Sequence, residues 1–250
     1  MRKIFCFNFI IFLFCILNVF ADSNKTCNVK DFGAIGDGKN LDTIAINKAI
    51  DECAHDSGVV YFPEGTYLSG SIHLKSNITL NISEKATILG APNDIGAYDE
   101  PEDNPWNAYQ DFGHSHWHNS LIWGENLRNI SIIGKGTING GGIASEKGKI
   151  YAPVGGGNKA IALKLCKNIL IKDITIIHGG HFAILSTGCD NLVIDSLTID
   201  TNRDGIDIDC CSNVTIKNCK VNAPDDDAIV PKSSYALGYK KLTENLKIEN

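Results

Sequence analysis

Ionisable side chains recur at one position of a sequence repeat, and their types suit acid–base chemistry. Three segments each open with an Asn and carry such a side chain 13 residues later: Asn168 with His181, Asn191 with Asp204, and Asn213 with Asp226. Asp227 follows directly. If the segments stack as parallel strands about 4.8 Å apart, His181, Asp204 and Asp226 form one column. Like charges this close repel one another and reduce the stability of the fold, so a chain that keeps them is expected to need them for catalysis. The column therefore indicates an enzyme.

The segments that carry these residues predict a solenoid. After its Asn, each alternates apolar and polar residues, and the Asn residues are 23 and then 22 positions apart. Asn77 and Asn129 open similar segments. Residues 41–54 have helical apolar spacing, with Asp42 or Thr43 as the expected N-cap. The predicted fold class is therefore all-β, with parallel strands in a solenoid and one N-terminal helix that caps its open end.

Two stretches interrupt the repeat and are expected to be loops, at residues 91–119 and 140–157. The first is rich in Pro, Asp, Trp and His. In an alternating strand, His114, His116 and His118 would share one side, but no further ligand stands at a matching spacing, so we predict no metal. Two interpretations stay open: a cleft wall that offers aromatic and imidazole contacts to a sugar, or an inert surface loop.

The N-terminus and the charge balance indicate a secreted domain. Residues 1–21 have the basic start, apolar run and small-residue end of a signal peptide, so we expect a mature domain at 22–250 without a membrane anchor. Cleavage removes Arg2 and Lys3 and leaves 21 basic against 29 acidic residues. This acidic balance argues against a nucleic-acid partner.

Cysteine and asparagine usage agree with an oxidising compartment. Seven Cys remain after cleavage. Cys166, Cys189 and Cys211 share a repeat position, and both stacked thiols and a disulfide stay open. Sequons occur at Asn24, Asn77, Asn81, Asn129 and Asn213, which predicts a glycoprotein.

Several motifs resemble glycoside hydrolase family 28, the polygalacturonase family. They extend from Val-Lys-Asp-Phe-Gly-Ala at residues 29–34, through residues 119–122 and 134–140, to the acidic region. The family's Asn-Thr-Asp-Gly motif is similar to residues 202–205, and its Gly-Asp-Asp-Cys motif is similar to residues 225–228. The resemblance implies a right-handed parallel β-helix that hydrolyses pectin-like polymers with inversion at the anomeric carbon.

The resemblance also implies catalytic roles. Asp226 matches the general acid, and Asp204 and Asp227 match the pair that holds the attacking water. An inverting acid and base are expected about 6.5–9.5 Å apart. Asp207 and Asp209 are interpreted as groups that stabilise turns and coils. We expect no cofactor.

Four further residues are predicted to bind substrate: His181, Asn202, Arg203 and Lys232. Lys232 is placed to pair with a substrate carboxylate, although a solvated Lys is an equal alternative.

The chain also departs from the family motifs. Arg203 replaces Thr, Asp225 replaces Gly and Ala228 replaces Cys. The downstream Gly-His-Gly and Arg-Ile-Lys motifs are not found before Asn250, and the last repeat stops within a coil. We therefore expect C-terminal coils to be missing, and the 250-residue chain to be inactive by itself if they are needed.

Three functions remain in competition. The leading one is a secreted, monomeric glycosidase that acts on an acidic, plant-type polysaccharide. A polysaccharide lyase on the same fold would need calcium and a basic residue, and Arg203 is the Arg near the acids. A non-catalytic β-helix that binds carbohydrate, or that serves as a surface protein, is the alternative from another class.

Overall fold

Parallel strands wind into three sheets around one apolar core. The computed structural model describes residues 25–110, 112–141, 143 and 158–250. The strands form an eight-stranded, a seven-stranded and a six-stranded sheet, and every strand pair in them is parallel. The fold is a right-handed parallel β-helix, and the predicted solenoid is confirmed. The predicted signal peptide lies outside the described residues.

The three sheets, here named A, B and C, run along the solenoid. Sheet A contains, in spatial order, Thr26–Asn28, Val59–Phe62, Ile78–Ile82, Arg128–Ile133, Lys167–Lys172, Asp190–Asp195, Ser212–Lys217 and Glu244–Glu249. Sheet B contains Asp37–Leu41, Gly65–Ser69, Ala86–Gly90, Thr137–Asn139, Thr175–Ile177, Thr198–Asp200 and Lys220–Asn222. Sheet C contains Ile72–His73, Ile122–Glu125, Ile161–Lys164, Ile184–Thr187, Ile206–Asp209 and Ile229–Lys232.

Alternation along the strands builds the core. In sheet A, Ile132, Ile171, Ile194 and Ile216 lie directly opposite one another on successive strands. All four are buried. Residues that lie opposite one another on neighbouring strands point to the same face, and this face is the inner one. The same β-branched residue repeated at one level therefore forms a continuous apolar column inside the solenoid.

The backbone conformation explains why an Asn opens each repeat. Asn77, Asn129, Asn168, Asn191 and Asn213 all have φ between +55° and +63°. Asn tolerates this left-handed conformation better than most residues do. Their side chains also bond from coil to coil, as in the 2.9 Å bond from Asn168 Nδ2 to Asn129 Oδ1. The repeat seen in the sequence is thus a ladder of left-handed Asn residues.

The predicted N-terminal helix is present as α1, Thr43–Ala54. Asp42 occupies the N-cap position but makes no side-chain bond to the helix. Its carboxylate instead accepts the backbone N–H groups of Ile35 and Gly36, at 2.7 and 3.0 Å. The buried face of α1 packs on the first strands of sheets A and C and consists of Ala45, Ile46, Ala49, Ile50 and Cys53.

The remaining helical segments are short. They are α2, Phe112–Ser115, and the 3₁₀ turns Val29–Phe32, Asn93–Ile95 and Asn107–Tyr109. Within the described residues, no helix combines the length and the apolar character that a bilayer span requires.

The three Cys of the shared repeat position are stacked thiols. Cys166, Cys189 and Cys211 are fully buried and free. The Cys211 thiol lies 3.2 Å from the carbonyl oxygen of Ser186, and the Cys166 thiol 3.4 Å from that of Gly124. Of the two open interpretations, the structure has the unbridged one.

Candidate active site

The predicted site residues lie where the chain passes from sheet B to sheet C. His181 belongs to the connection 178–183, and Asn202, Arg203 and Asp204 belong to 201–205. Asp226 and Asp227 belong to 223–228, and Lys232 ends the following strand of sheet C. Three successive coils thus place these side chains along one edge of the solenoid.

The predicted column of His181, Asp204 and Asp226 is wrong by one residue. Ile184, Ile206 and Ile229 lie opposite one another, so the connection 201–205 is one residue shorter than its neighbours. Counting back from these Ile residues, two columns exist: His181 with Arg203 and Asp226, and Phe182 with Asp204 and Asp227. The cation Arg203 therefore stands between His181 and Asp226, at the level that the prediction gave to Asp204.

Arg203 contacts both of its column neighbours. Its Nη1 lies 2.7 and 3.1 Å from the two ring nitrogens of His181. Its Nη2 and Nε each lie 3.4 Å from Oδ2 of Asp226. Arg203 also lies over the Phe182 ring, 5.4 Å from its centroid. The residue that departs from the family motif thus joins the imidazole to a candidate catalytic carboxylate.

Asp204 and Asp226 lie close together. Asp204 is 6% exposed, and burial raises its pKa to about 7, with further contributions from the charges of Asp207 and Asp226 and from a hydrogen bond to Asp226. The backbone N–H of Asp227 donates towards Oδ1 of Asp204 at 3.3 Å and Oδ1 of Asp226 at 3.2 Å. The expected separation of about 6.5–9.5 Å is therefore wrong for this pair, because neighbouring coils and one shared amide bring the two groups within hydrogen-bonding reach.

Asp207 and His114 also lie at the site, although Asp207 was interpreted as a coil-stabilising group and His114 as part of either a cleft wall or an inert loop. Asp207 is fully buried on sheet C, and neither of its carboxylate oxygens has a hydrogen-bond partner among the residues that the structure describes. Its Oδ1 lies 3.7 Å from Nε2 of His114, which comes from the loop at 91–121. His114, Asp204 and Asp207 each place one possible ligand atom within 4.8 Å of the others. Imidazole and carboxylates suit a divalent cation, but the Lys232 ammonium already contacts His114 Nε2.

Lys232 and Asn202 differ in how accessible they are to a substrate. Lys232 is half-buried against His114, which leaves it less available for a uronate than a solvated Lys would be. Asn202 is exposed, and its backbone carbonyl accepts the N–H of Asp225 at 3.1 Å. Both remain predicted substrate contacts, with Asn202 the more accessible.

Asp209 has the structural role expected of it, whereas Asp207 does not. The Asp209 carboxylate accepts the N–H of Ser234 at 2.8 Å and its hydroxyl at 2.5 Å. These bonds anchor the insertion at 233–241. Within the described part of the chain, the Asp207 carboxylate makes no corresponding bonds, and its Oδ1 lies towards His114.

The His triplet does not form one side of a strand. His114 lies in α2 and faces the acids, whereas His118 bonds Oε2 of Glu125 at 2.9 Å. His116 stacks on Phe112 with 3.8 Å between ring centroids. Gly113 allows the close approach of this loop, since a Cβ there would lie 1.9 Å from the His181 ring.

Aromatic residues from two loops form an exposed cluster near the site. Trp106 and Tyr109 lie in the loop at 91–121, and both pack edge-on against Tyr235, at 5.5 and 5.3 Å. Tyr109 is 66% exposed. Asn104 Nδ2 donates to the carbonyl oxygen of Ala236 at 3.2 Å and holds the two loops together. The two loops thus present aromatic side chains together, and their contact with a sugar stays a prediction.

The amino-acid sequence identifies the family of the chain. Residues 26–223 match the family described as rhamnogalacturonase A/epimerase, pectate lyase-like. The chain belongs to this family. It is also similar to named glycosidases: a polygalacturonase of Malus domestica is 31% identical over 240 residues, which is 88% of this chain and 46% of that protein. The resemblance to glycoside hydrolase family 28 is confirmed.

Two other matches complete the comparison. The plasmin and fibronectin-binding protein A of Streptococcus pneumoniae is 37% identical over 177 residues, which is 68% of this chain and 23% of that protein. The structure of the Yersinia enterocolitica family 28 exopolygalacturonase superposes with a TM-score of 0.71 at 24% identity, covering 90% of this chain and 48% of that one. This last likeness supports the β-helix fold. The chain spans about half the length of the polygalacturonases it matches.

Proposed function

We propose that this protein is a glycoside hydrolase that cleaves polygalacturonan or a related acidic polysaccharide. The observation that carries the proposal is the grouping of Asp204, Asp226 and Asp227 at one edge of a pectate lyase-like β-helix. Two carboxyl groups in different protonation states are what glycoside hydrolysis needs, one to protonate the leaving oxygen and one to activate water. Burial raises the pKa of Asp204 to about 7, which supplies one carboxyl that can hold a proton near neutral pH.

The proposed reaction inverts the anomeric carbon, as the family resemblance implies. A water attacks the anomeric carbon as the bond to the leaving oxygen breaks. One carboxyl gives its proton to that oxygen, and a carboxylate takes a proton from the water. His181, Asn202, Arg203 and Lys232 are the proposed substrate contacts. Proton NMR of the first product tests inversion by showing which anomer forms before mutarotation.

Release of reducing sugar from polygalacturonan and rhamnogalacturonan tests the activity. The Asp226→Asn variant is expected to lose activity about 10³-fold, because it can neither give nor take the catalytic proton. Asp225→Asn is the matched control. It removes the same charge from an exposed neighbouring residue, and the variant is expected to keep the wild-type activity. The assay includes any longer form that the gene encodes.

Equal loss in Asp225→Asn would show that the effect is not specific to the Asp226 carboxyl. Two other results would contradict the hydrolase. Ultraviolet-absorbing unsaturated ends would instead indicate a lyase. Polymer binding without cleavage, in every form, would favour the non-catalytic alternative.

That alternative has one observation in its favour. The relative from Streptococcus pneumoniae is named for binding plasmin and fibronectin, and it is 37% identical over the shared region. A β-helix of this kind would serve as a binding surface, and its acids would not need to turn over a substrate.

The proposal also includes secretion, through the predicted signal at residues 1–21. We propose a glycosylated monomer that needs no cofactor, nucleic acid or membrane partner. Fractionation of cells and medium, with glycosidase treatment and light scattering of the secreted protein, tests these points together.

A further inference from the structure

Asp207 is a buried carboxylate that lacks the hydrogen bonds such a group normally makes. It is fully buried on sheet C, where it lies between Leu185 and Val230 on the neighbouring strands. Within the described residues, neither of its oxygens has a hydrogen-bond partner. Nε2 of His114, at 3.7 Å from Oδ1, is too far away for a hydrogen bond. Burial of an unbonded carboxylate costs free energy, so the arrangement indicates a site for a positive partner.

Two further candidate metal ligands lie beside Asp207. One atom each of His114, Asp204 and Asp207 lies within 4.8 Å of the others, and all three residues are buried. Zinc bonds of about 2.0–2.2 Å to nitrogen and oxygen place two ligand atoms of a tetrahedral site about 3.4 Å apart. The 3.7 Å between His114 Nε2 and Asp207 Oδ1 is only slightly longer. The cluster therefore has nearly the size of a zinc site.

The contact of Lys232 with His114 shows which ring nitrogen can accept a metal ion. The Lys232 ammonium contacts Nε2 of His114. An ammonium has donors only, so Nε2 is the acceptor and directs its lone pair towards the contact. A neutral imidazole nitrogen is also what a metal ion binds. Lys232 and a metal ion would thus compete for the same nitrogen.

The fold supports the three candidate ligands. The backbone carbonyl of Asp204 accepts the N–H of Ala183 from the preceding coil at 3.0 Å. The His114 ring packs on Phe182, with 4.4 Å between ring centroids. Asp204 Oδ1 also accepts the Asp227 amide at 3.3 Å, but a carboxylate has about four lone-pair sites and can bind a metal ion as well. Ligands that are already held in place lose less freedom when an ion binds.

From this geometry we propose that His114, Asp204 and Asp207 form a binding site for one divalent transition-metal ion such as zinc, and that Lys232 competes with the ion for His114. Three protein ligands leave the fourth position of a tetrahedral ion to water. Calcium fits less well, because it takes six to eight oxygen ligands.

This inference goes beyond the proposed function and does not depend on it. The proposed hydrolysis needs no metal ion, and an ion at this site would engage Asp204, one of the candidate catalytic acids. Bound metal would therefore inhibit cleavage. The site takes only His114 from the His triplet, and its two carboxylates come from residues far away in the chain. Spacing within the triplet could not have revealed it.

Isothermal titration calorimetry of the full chain with zinc chloride at neutral pH tests the site. The wild type is expected to bind one ion per chain, and to unfold at a higher temperature when zinc is present. Asp207→Asn is expected to bind zinc about 100-fold more weakly or worse, because loss of a supporting group around a metal site alone costs about 10–100-fold. The same loss is expected for His114→Gln.

His118→Gln is the matched control for His114→Gln. His118 also bonds a carboxylate, that of Glu125 at 2.9 Å, but it is not part of the cluster. This variant is expected to keep the wild-type affinity for zinc. An equal loss in both variants would show that the ion binds elsewhere or that any change in this loop disturbs the fold.

Lys232→Met separates the loss of a ligand from a folding defect. It removes the competing ammonium and keeps an apolar side chain of similar length. Zinc is expected to bind about tenfold more tightly to this variant than to the wild type, because a nearby positive charge is gone. A disturbed fold would weaken binding and cannot produce this gain.

Four results would overturn the proposal. They are a wild type that binds no zinc, wild-type affinity in both Asp207→Asn and His114→Gln, an unchanged or weaker affinity in Lys232→Met, and calcium that binds as tightly as zinc. None of these measurements needs turnover of a polymer. Failure of the proposed hydrolase would therefore leave this test unaffected.

Discussion

The interior of sheet A and the connections from sheet B to sheet C belong to the same repeat, but only the sheet keeps a constant spacing from coil to coil. On sheet A, Ile132, Ile171, Ile194 and Ile216 keep one register over four coils. In the connections, the length changes from 178–183 to 201–205 and again to 223–228. Regular spacing on one side produces an apolar column, whereas irregular spacing on the other brings different charged residues to the same level.

The difference separates what holds the solenoid together from what it can do. A shift of register on sheet A would turn every buried Ile towards solvent, so the spacing there is constrained. The connections lie outside the strand pairs, so their length can change by one residue without shifting the register of the sheets. That single missing residue puts Arg203, in place of Asp204, between His181 and Asp226. The chemistry of the site therefore depends on the part of the repeat that is free to vary.

The largest expected effect on stability comes from the sheet A column. Ile194→Ala removes a fully buried side chain from between Ile171 and Ile216, and leaves a cavity that neighbouring coils cannot fill. We expect the free energy of unfolding to fall by about 3 kcal/mol, as measured by urea denaturation.

Val193→Ala is the control for that variant. Val193 is the next residue along the strand and is half-buried on the outer face. A loss below about 1 kcal/mol is expected there. If the two variants lose equal stability, the regular face is not the part that holds the solenoid together.

A smaller effect, which depends on pH, is expected from the irregular side. Asp204 has a pKa of about 7 when folded, against 3.8 as its ordinary value, so the folded protein holds a proton that the unfolded chain has already released. The stability from this proton is fully present below about pH 4 and is lost as the pH rises through about 7. Asp204→Asn carries no such proton.

The free energy of unfolding is measured as a function of pH for the wild type and for Asp204→Asn. The wild type is expected to lose about 2 kcal/mol more than Asp204→Asn between pH 4 and 7.5, after allowance for solvent screening. Asp225→Asn should follow the wild-type profile, because Asp225 is exposed. If Asp204→Asn keeps the wild-type slope, the Asp204 carboxyl is not the group that retains a proton in the folded wild type.

The sequence allowed the fold to be predicted more fully than the site, for a physical reason. The Asn ladder and the apolar alternation are local signals, and they located the strands of sheet A. The position of Asp204 relative to His181 and Asp226 depends on the length of the connection 201–205. Counting a constant number of residues from Asn191 cannot reveal that this connection is one residue shorter than its neighbours. The approach of His114 to Asp207 joins residues far apart in the chain, so no spacing pattern could have indicated it.

The smallest effect concerns the Asn ladder, where backbone and side chain can be separated. Asn191 has φ +56°, and its Nδ2 donates to Oδ1 of Asn168 at 3.1 Å. Asn191→Gly keeps the left-handed backbone but loses that bond, whereas Asn191→Ala loses the bond and strains the backbone. We expect both variants to be less stable than the wild type, with Ala worse than Gly by about 0.5–1 kcal/mol in urea denaturation. A Gly variant as unstable as the Ala variant would mean that the side-chain bonds, and not the left-handed turn, explain why Asn recurs at the start of each coil.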